Sequence, residues 1–273
     1  MRSVPPAGLP DAGAAPSAPL SWKRILLPPE HGSWSFLLEP ILLGLLVSPS
    51  GAGAALGIAA VAAFFTRQPL KLALSDRHRG KRYPRTAAAE GAALGFGSVA
   101  ALALAVSLAA GGSRVALPLL AAAPLGLVQV IYDARRETRE VAPELAGSAA
   151  LAAFAPAMAL ADGWTLAAAL GLWLVLLSRS IPSILYARTM VRRLHGETVS
   201  GVPALTVHAA GVAAVGAAGA AGIVPLMVLA APLLLLVRAA LGLSRGTIPA
   251  RRLGWGEIAF GLASVGIAAL AYL

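Results

Sequence analysis

Long apolar runs separated by short polar stretches dominate this chain. Nine such segments are marked by the sequence: residues 33–48, 51–66, 87–110, 115–132, 141–161, 164–190, 203–223, 225–243 and 254–273. A run of about 20 apolar residues is what a helix needs to cross the hydrocarbon core of a bilayer. Alternating ten-residue strands, the mark of a membrane barrel, are absent from the pattern. The expected fold is therefore all-α, a polytopic transmembrane helical bundle of about nine spanning helices. Segments 33–48 and 51–66 are short for a span, so they are expected either to tilt little or to be partly re-entrant.

Residues 1–27 break this pattern. They are rich in Pro, Ala and Gly and lack the continuous apolar stretch of a signal peptide, and are expected to form a disordered cytoplasmic tail ahead of a helical domain over 28–273.

Composition agrees with a membrane class. The chain of 273 residues is 58% hydrophobic and only 12% charged, against about 25% charged in soluble domains. Nine spans leave no room for a separate catalytic domain, so any chemistry is expected among the helices. The net charge of +10 reads as topology rather than as a nucleic-acid footprint. With nine alternating spans, 20 of the 22 Lys and Arg residues fall on one side, Arg114 falls on the other, and Arg179 lies inside a span. This bias predicts an inside N-terminus and an outside C-terminus. The absence of cysteine removes thiolate nucleophiles and thiolate metal sites.

Ionisable residues at membrane depth are costly, so their alignment carries information. At 1.5 Å per residue, Glu39, Glu90, Glu144, His208 and Glu257 lie roughly 5–9 Å from the cytoplasmic ends of their helices. Arg179, flanked by Ser178 and Ser180, lies about 16 Å deep on the sixth segment. Together with Glu30 and His31 just before the first span, these residues form an expected polar layer facing the bundle interior. Each acid taken singly also reads as an ordinary helix-end residue favoured by the helix dipole. His208 reads equally as a packing histidine.

Two basic stretches border this layer. Residues 66–86, containing Arg67 and Lys71, are expected to form a long cytoplasmic loop, while Arg188 and Arg192 stand four apart on one helical face. Positive-inside topology accounts for both. Anion or lipid-headgroup binding by Arg67, Lys71, Arg179, Arg188 and Arg192 is the functional alternative, since guanidinium forks suit phosphate. No metal site is expected, because the four histidines are scattered, and no catalytic or nucleotide fingerprint is present. Gly91 and Gly95, four apart, and Gly216, Gly219 and Gly222 in the Ala-rich seventh segment form close-packing signals between helices.

The stretches PPEHGSWSFLLEPILLGLL, TRQPLK, PELAG, SRSIPSILYARTMVRRLHGE and GWGEIAFGLAS resemble the YwiC-like family of bacterial membrane proteins, over nearly everything after residue 27. The resemblance implies a multi-pass protein of the bacterial cytoplasmic (inner) membrane without an assigned activity. The layout is also similar to that of the UbiA-type intramembrane prenyltransferases, with basic stretches after the second and sixth spans, the YDARRET stretch at 132–138 and Gly196…Gly201-Val202-Pro203. That resemblance implies a prenyl diphosphate held through magnesium on two aspartate-rich loops. The corresponding stretches here offer Asp76 alone in the first and Arg188, Arg192, Arg193 and Glu197 in the second, so no cofactor is expected. The expected partners are membrane lipids, with a phosphorylated or isoprenoid lipid as ligand and no nucleic acid. The expected function is binding of a phosphorylated lipid or other anion in a cytoplasm-facing intramembrane cavity. A small-solute or ion transporter and an accessory structural subunit are the alternatives.

Overall fold

The computed structural model describes residues 21–27, 33–135, 137 and 140–273. These form α1 (Trp22–Leu26), α2 (Ser33–Val47), α3 (Gly51–His78), α4 (Pro84–Gly111), α5 (Ala116–Arg135), α6 (Val141–Ala152), α7 (Phe154–Ala161), α8 (Leu166–Leu194), α9 (Val202–Ala220), α10 (Ala230–Ser244) and α11 (Ala250–Tyr272). Among the described residues there is no strand, and eight helical stretches are long and apolar enough to cross a membrane. The protein is a multi-pass, all-α integral membrane bundle.

The crossings correspond to the apolar segments, with α6 and α7 sharing one. That crossing breaks at Ala153. Pro156, in the first turn of α7, has no N–H to offer the carbonyl of Ala152, so an unbroken ladder is impossible there. A short 3₁₀ turn precedes α5 at Ser113–Val115 and another precedes α10 at Leu226–Leu229.

Three expectations change. The second segment is not short: α3 continues through Pro69 to His78, a 28-residue helix of about 42 Å. The long basic loop is therefore reduced to the turn at residues 79–83, and Arg67 and Lys71 stand on helix. The extension holds because its polar groups find partners: Asp76, fully buried, accepts bonds from Arg85 Nη2 at 3.0 Å and Thr86 Oγ1 at 2.9 Å, clamping α3 to the start of α4. The first segment is indeed short, since 15 residues of α2 reach only about 22 Å. Finally, the expected disordered tail contains α1, whose Ile25 is buried against Ala73 and Ala89.

The core is unevenly placed along the bundle. Leu43, Ala155, Ala159, Leu172, Leu176, Val215, Val228 and Val265 pack into one buried cluster. With an inside N-terminus, these residues occupy the central and outer parts of their helices. Small side chains there let the helices approach closely, as in other membrane bundles. At Gly44, an added Cβ would sit 2.5 Å from Met158 Sδ, so α2 and α7 touch because that position has no side chain. Toward the opposite ends the residues become larger and charged, and the helices part around a hollow.

Candidate functional site

The hollow is a cavity of about 1840 Å³ bounded by one end of each of six helices. It is lined by the first turns of α2 and α11, by most of α6, and by the second halves of α3, α5 and α8. Because the helices alternate in direction, all of these ends lie on one side of the bundle, the side carrying the excess of Lys and Arg. Helix α8 contributes a single face: Arg179, Ser183, Ala187 and Val191, and beside them Ile184, Arg188, Arg192 and His195, recur at three- to four-residue spacing and all line the hollow. Trp34, Phe36, Phe64, Leu70, Leu151, Ile184 and Trp255 make much of its wall apolar.

At the inner end the charges form a chain. Arg179 Nη2 donates to Glu39 Oε1 at 2.9 Å and to the backbone oxygen of Glu257 at 2.9 Å. Its Nη1 lies 3.6 Å from Glu257 Oε2, and the other oxygen of Glu257 accepts from Arg238 Nη1. Arg238 also donates to Ser183 Oγ at 3.3 Å and lies 4.2 Å from the centre of the Tyr186 ring. Two acids and two bases from α2, α8, α10 and α11 thus cancel. This arrangement meets the cost of burying charge at depth. Gly261 is required beside it, since an added Cβ there would collide with Glu39 Oε1 and come within 2.6 Å of Arg179 Nη2. Among the described residues, Arg179 Nε and Nη1 have no hydrogen-bond partner.

Nearer the mouth, most of the sequence-predicted cations already hold a carboxylate. Arg67 grips Asp133 with a two-pronged contact, Nε to Oδ2 at 2.6 Å and Nη2 to Oδ1 at 3.0 Å, and Gln129 donates to the same carboxylate at 3.1 Å. Arg188 Nη1 donates to Glu144 Oε2 at 3.0 Å. Arg192 Nε donates to Glu197 Oε2 at 2.8 Å in a pair about half exposed. An exposed pair of this kind contributes only about 0–1 kcal/mol, so Arg192 can exchange partners. Lys71 and Arg251 line the cavity too, and among the described residues neither has an ion-pair partner.

Other members of the expected layer stand elsewhere. Glu90, on α4, accepts from Arg77 at 2.8 Å and Arg82 at 3.0 Å and is not part of the cavity wall. His208 is buried within the bundle, with Nδ1 donating to the Ala204 carbonyl at 2.8 Å and the Tyr186 ring edge-on at 6.5 Å. Glu39 is buried behind Arg179 rather than on the wall. Glu30 and His31 lie outside the described residues. Gln129 and Arg238, which the sequence places about 5–8 Å from the cytoplasmic ends of their segments, do stand at the site, whereas Asp133, Ser183 and Gly261 were not singled out by sequence reading; Asp133 sits in the YDARRET stretch, and its place just after the fourth segment was the one available signal.

The magnesium that the prenyltransferase layout implies does not fit these side chains. Asp76 is engaged by Arg85 and Thr86, and Asp133 by Arg67 and Gln129, so each carboxylate already faces a guanidinium and a hydroxyl or amide donor of the protein. Among the described residues, no three His, Asp or Glu side chains gather as a metal ion would require.

Residues 27–159, from just before α2 into α7, match the family model described as YwiC-like protein. The match covers just under half of the chain, less than the resemblance read from the sequence, and α8 to α11 lie beyond it. Neither the curated proteins nor the solved structures contain a match to the chain.

Proposed function

We propose that this protein, whose residues 27–159 carry the YwiC-like signature, binds an anionic amphiphile in the cavity at the cytoplasmic side of the bacterial cytoplasmic membrane. One observation carries the reading. A hollow of about 1840 Å³ with a largely apolar wall opens where Lys71 and Arg251 have no carboxylate partner among the described residues. Pockets for small molecules are typically about 300–1,000 Å³, so the volume suits a lipid better than a free phosphate. The two uncompensated cations favour a phosphorylated or carboxylated headgroup at the mouth, and the aromatic residues Trp34, Phe36 and Phe64 favour hydrocarbon beyond it. Arg192, in its exposed pair, supplies a third cation. Arg67 and Arg188 shape the mouth through their pairs with Asp133 and Glu144 rather than as free phosphate forks.

The test is native mass spectrometry of the purified chain equilibrated with equal amounts of phosphatidylglycerol and phosphatidylcholine. Wild type should retain the anionic lipid preferentially, and the double substitution Lys71→Glu, Arg251→Glu should remove the preference. Equal retention of both lipids by wild type would contradict the reading.

A second reading, transport, draws on a different observation: the bundle is packed at one end and hollow at the other, as one state of an alternating-access device would be. Solute flux in proteoliposomes separates the two readings.

A further inference from the structure

The cavity differs chemically between its mouth and its inner end. At the mouth, Lys71 and Arg251 have no ion-pair partner among the described residues. At the inner end, Arg179 is about 3% exposed and lines the cavity, and its charge is already balanced by Glu39 and Glu257. Two of its nitrogens, Nε and Nη1, nonetheless have no hydrogen-bond acceptor among the described residues; both are shut off from solvent in this packing, so an oxygen in the cavity reaches them when the side chain shifts toward it. A buried donor without a partner is costly, and more so when it belongs to a charged group. A second anion there would leave the Glu39–Arg179–Glu257–Arg238 chain with an uncompensated negative charge in an apolar setting. An uncharged oxygen would accept from the free N–H groups and leave the charge balance intact.

Depth narrows the class of that oxygen. Glu39 lies six residues into α2 and Glu257 seven into α11, so the guanidinium they hold sits about 9–10 Å below the starts of those helices. The polar zone of a bilayer is about 5–7 Å thick on each side of its hydrocarbon core. A lipid with its phosphate at the mouth therefore brings its next polar layer, the acyl ester carbonyls, closest to this level. Phe36, whose ring lies 6.0 Å from the Arg179 guanidinium carbon, and Ile184 provide apolar surface for the chains beside them.

Building on the reading that the cavity holds an amphiphile, we infer that Arg179 donates through Nε and Nη1 to an ester carbonyl of an acyl lipid whose anionic headgroup sits at Lys71 and Arg251. Arg179 is then a selectivity residue: the mouth reads the charge of the head, and the inner end reads the linkage between glycerol and hydrocarbon. No bond is made or broken.

The experiment compares two probes of equal headgroup and chain length, diacyl phosphatidylglycerol and its dialkyl ether analogue, which lacks the ester carbonyls. Both are offered together to the full chain in detergent, and the retained lipid is measured by mass spectrometry. Wild type should favour the diacyl lipid by about tenfold, the size of one hydrogen bond from a charged donor. In Arg179→Lys, which keeps the cation between Glu39 and Glu257 but removes the guanidinium fork, the preference should fall to about twofold or less. In Lys71→Gln, retention of both lipids should fall while their ratio stays unchanged. Equal retention of the two lipids by wild type overturns this inference and leaves the anionic-amphiphile reading standing. A preference that survives in Arg179→Lys also overturns it, because the ester would then be recognised elsewhere. Retention of neither lipid overturns the amphiphile reading itself.

Discussion

Arg179 on α8 and Glu39 on α2 form an ion pair at 2.9 Å across 140 residues of sequence, with each side chain about 4% exposed. The pair ties the 15-residue apolar helix α2 to the 29-residue α8. Through Glu257 it continues to α11, and through Arg238 to α10. Arg179 and Glu257 stand in the wall at the inner end of the cavity, with Glu39 behind them.

Breaking that pair on one side should be far more damaging than removing both partners. Glu39→Leu leaves Arg179 with only the more distant Glu257 carboxylate, and Arg179→Met leaves Glu39 buried without a cation. Each single substitution should cost about 3–5 kcal/mol, whereas the double substitution should cost markedly less than the sum. Thermal unfolding of the four proteins in one detergent measures this, and additive losses would show that the two side chains do not depend on each other.

The helix at Gly261 tests the same region without touching a charge. Gly261→Ala places a methyl group against Glu39 and Arg179 and should lower the Tm by several degrees, since the neighbours are held by their own bonds. Gly266, five residues further along α11, has nothing within 4 Å of an added Cβ, and Gly266→Ala should leave the Tm unchanged or slightly raised. Equal effects at the two positions would contradict the packing described.

Much of this arrangement was legible in the sequence, and its limits have physical causes. The apolar runs located the crossings because a bilayer demands them, and the depth of Arg179 marked it as a residue needing partners. Its choice of Glu39 and Glu257 was not legible, since helix spacing places a residue on a face of its own helix but says nothing about which face of another it meets. The extension of α3 was hidden for a similar reason: Arg67, Lys71 and Asp76 read as a solvated loop until Asp133, Arg85 and Thr86 are seen as their surroundings. Glycine spacing was an uneven guide. Gly91 and Gly95 carry the four-residue signal yet have no heavy atom within 4 Å of an added Cβ, whereas at Gly219 an added Cβ would lie 2.9 Å from Leu226, and closer approaches such as Gly44 and Gly261 stand outside any such spacing.

The two-pronged contact between Arg67 and Asp133 predicts metal independence. Asp133 is held by a guanidinium and an amide, so lipid retention should be the same in EDTA and in millimolar magnesium. Loss of binding in EDTA, restored by Mg²⁺, would mean that a carboxylate here releases its arginine to take a metal.

Topology supplies an independent check. The distribution of Lys and Arg predicts a cytoplasmic N-terminus and an external C-terminus. Reporter fusions after residue 273 should be active only when the reporter functions outside the cytoplasmic membrane. A cytoplasmic C-terminus would remove one crossing and place the cavity-lining helix ends on different sides.

The central claim, that the hollow between α2, α3, α5, α6, α8 and α11 holds an amphiphile, is tested most directly by photocrosslinking with a phosphatidylglycerol carrying a diazirine in one acyl chain. The purified chain, equilibrated with the probe, is irradiated and the labelled residues are mapped by peptide mass spectrometry. Labelling should concentrate on Trp34, Phe36, Phe64, Leu151 and Ile184 of the cavity wall, and Ala187→Trp, which fills the hollow from α8, should abolish it there. Labelling confined to outward residues such as Leu94, Leu102 and Leu120, which are about 70% exposed on the bundle surface, and indifferent to Ala187→Trp, would contradict the claim.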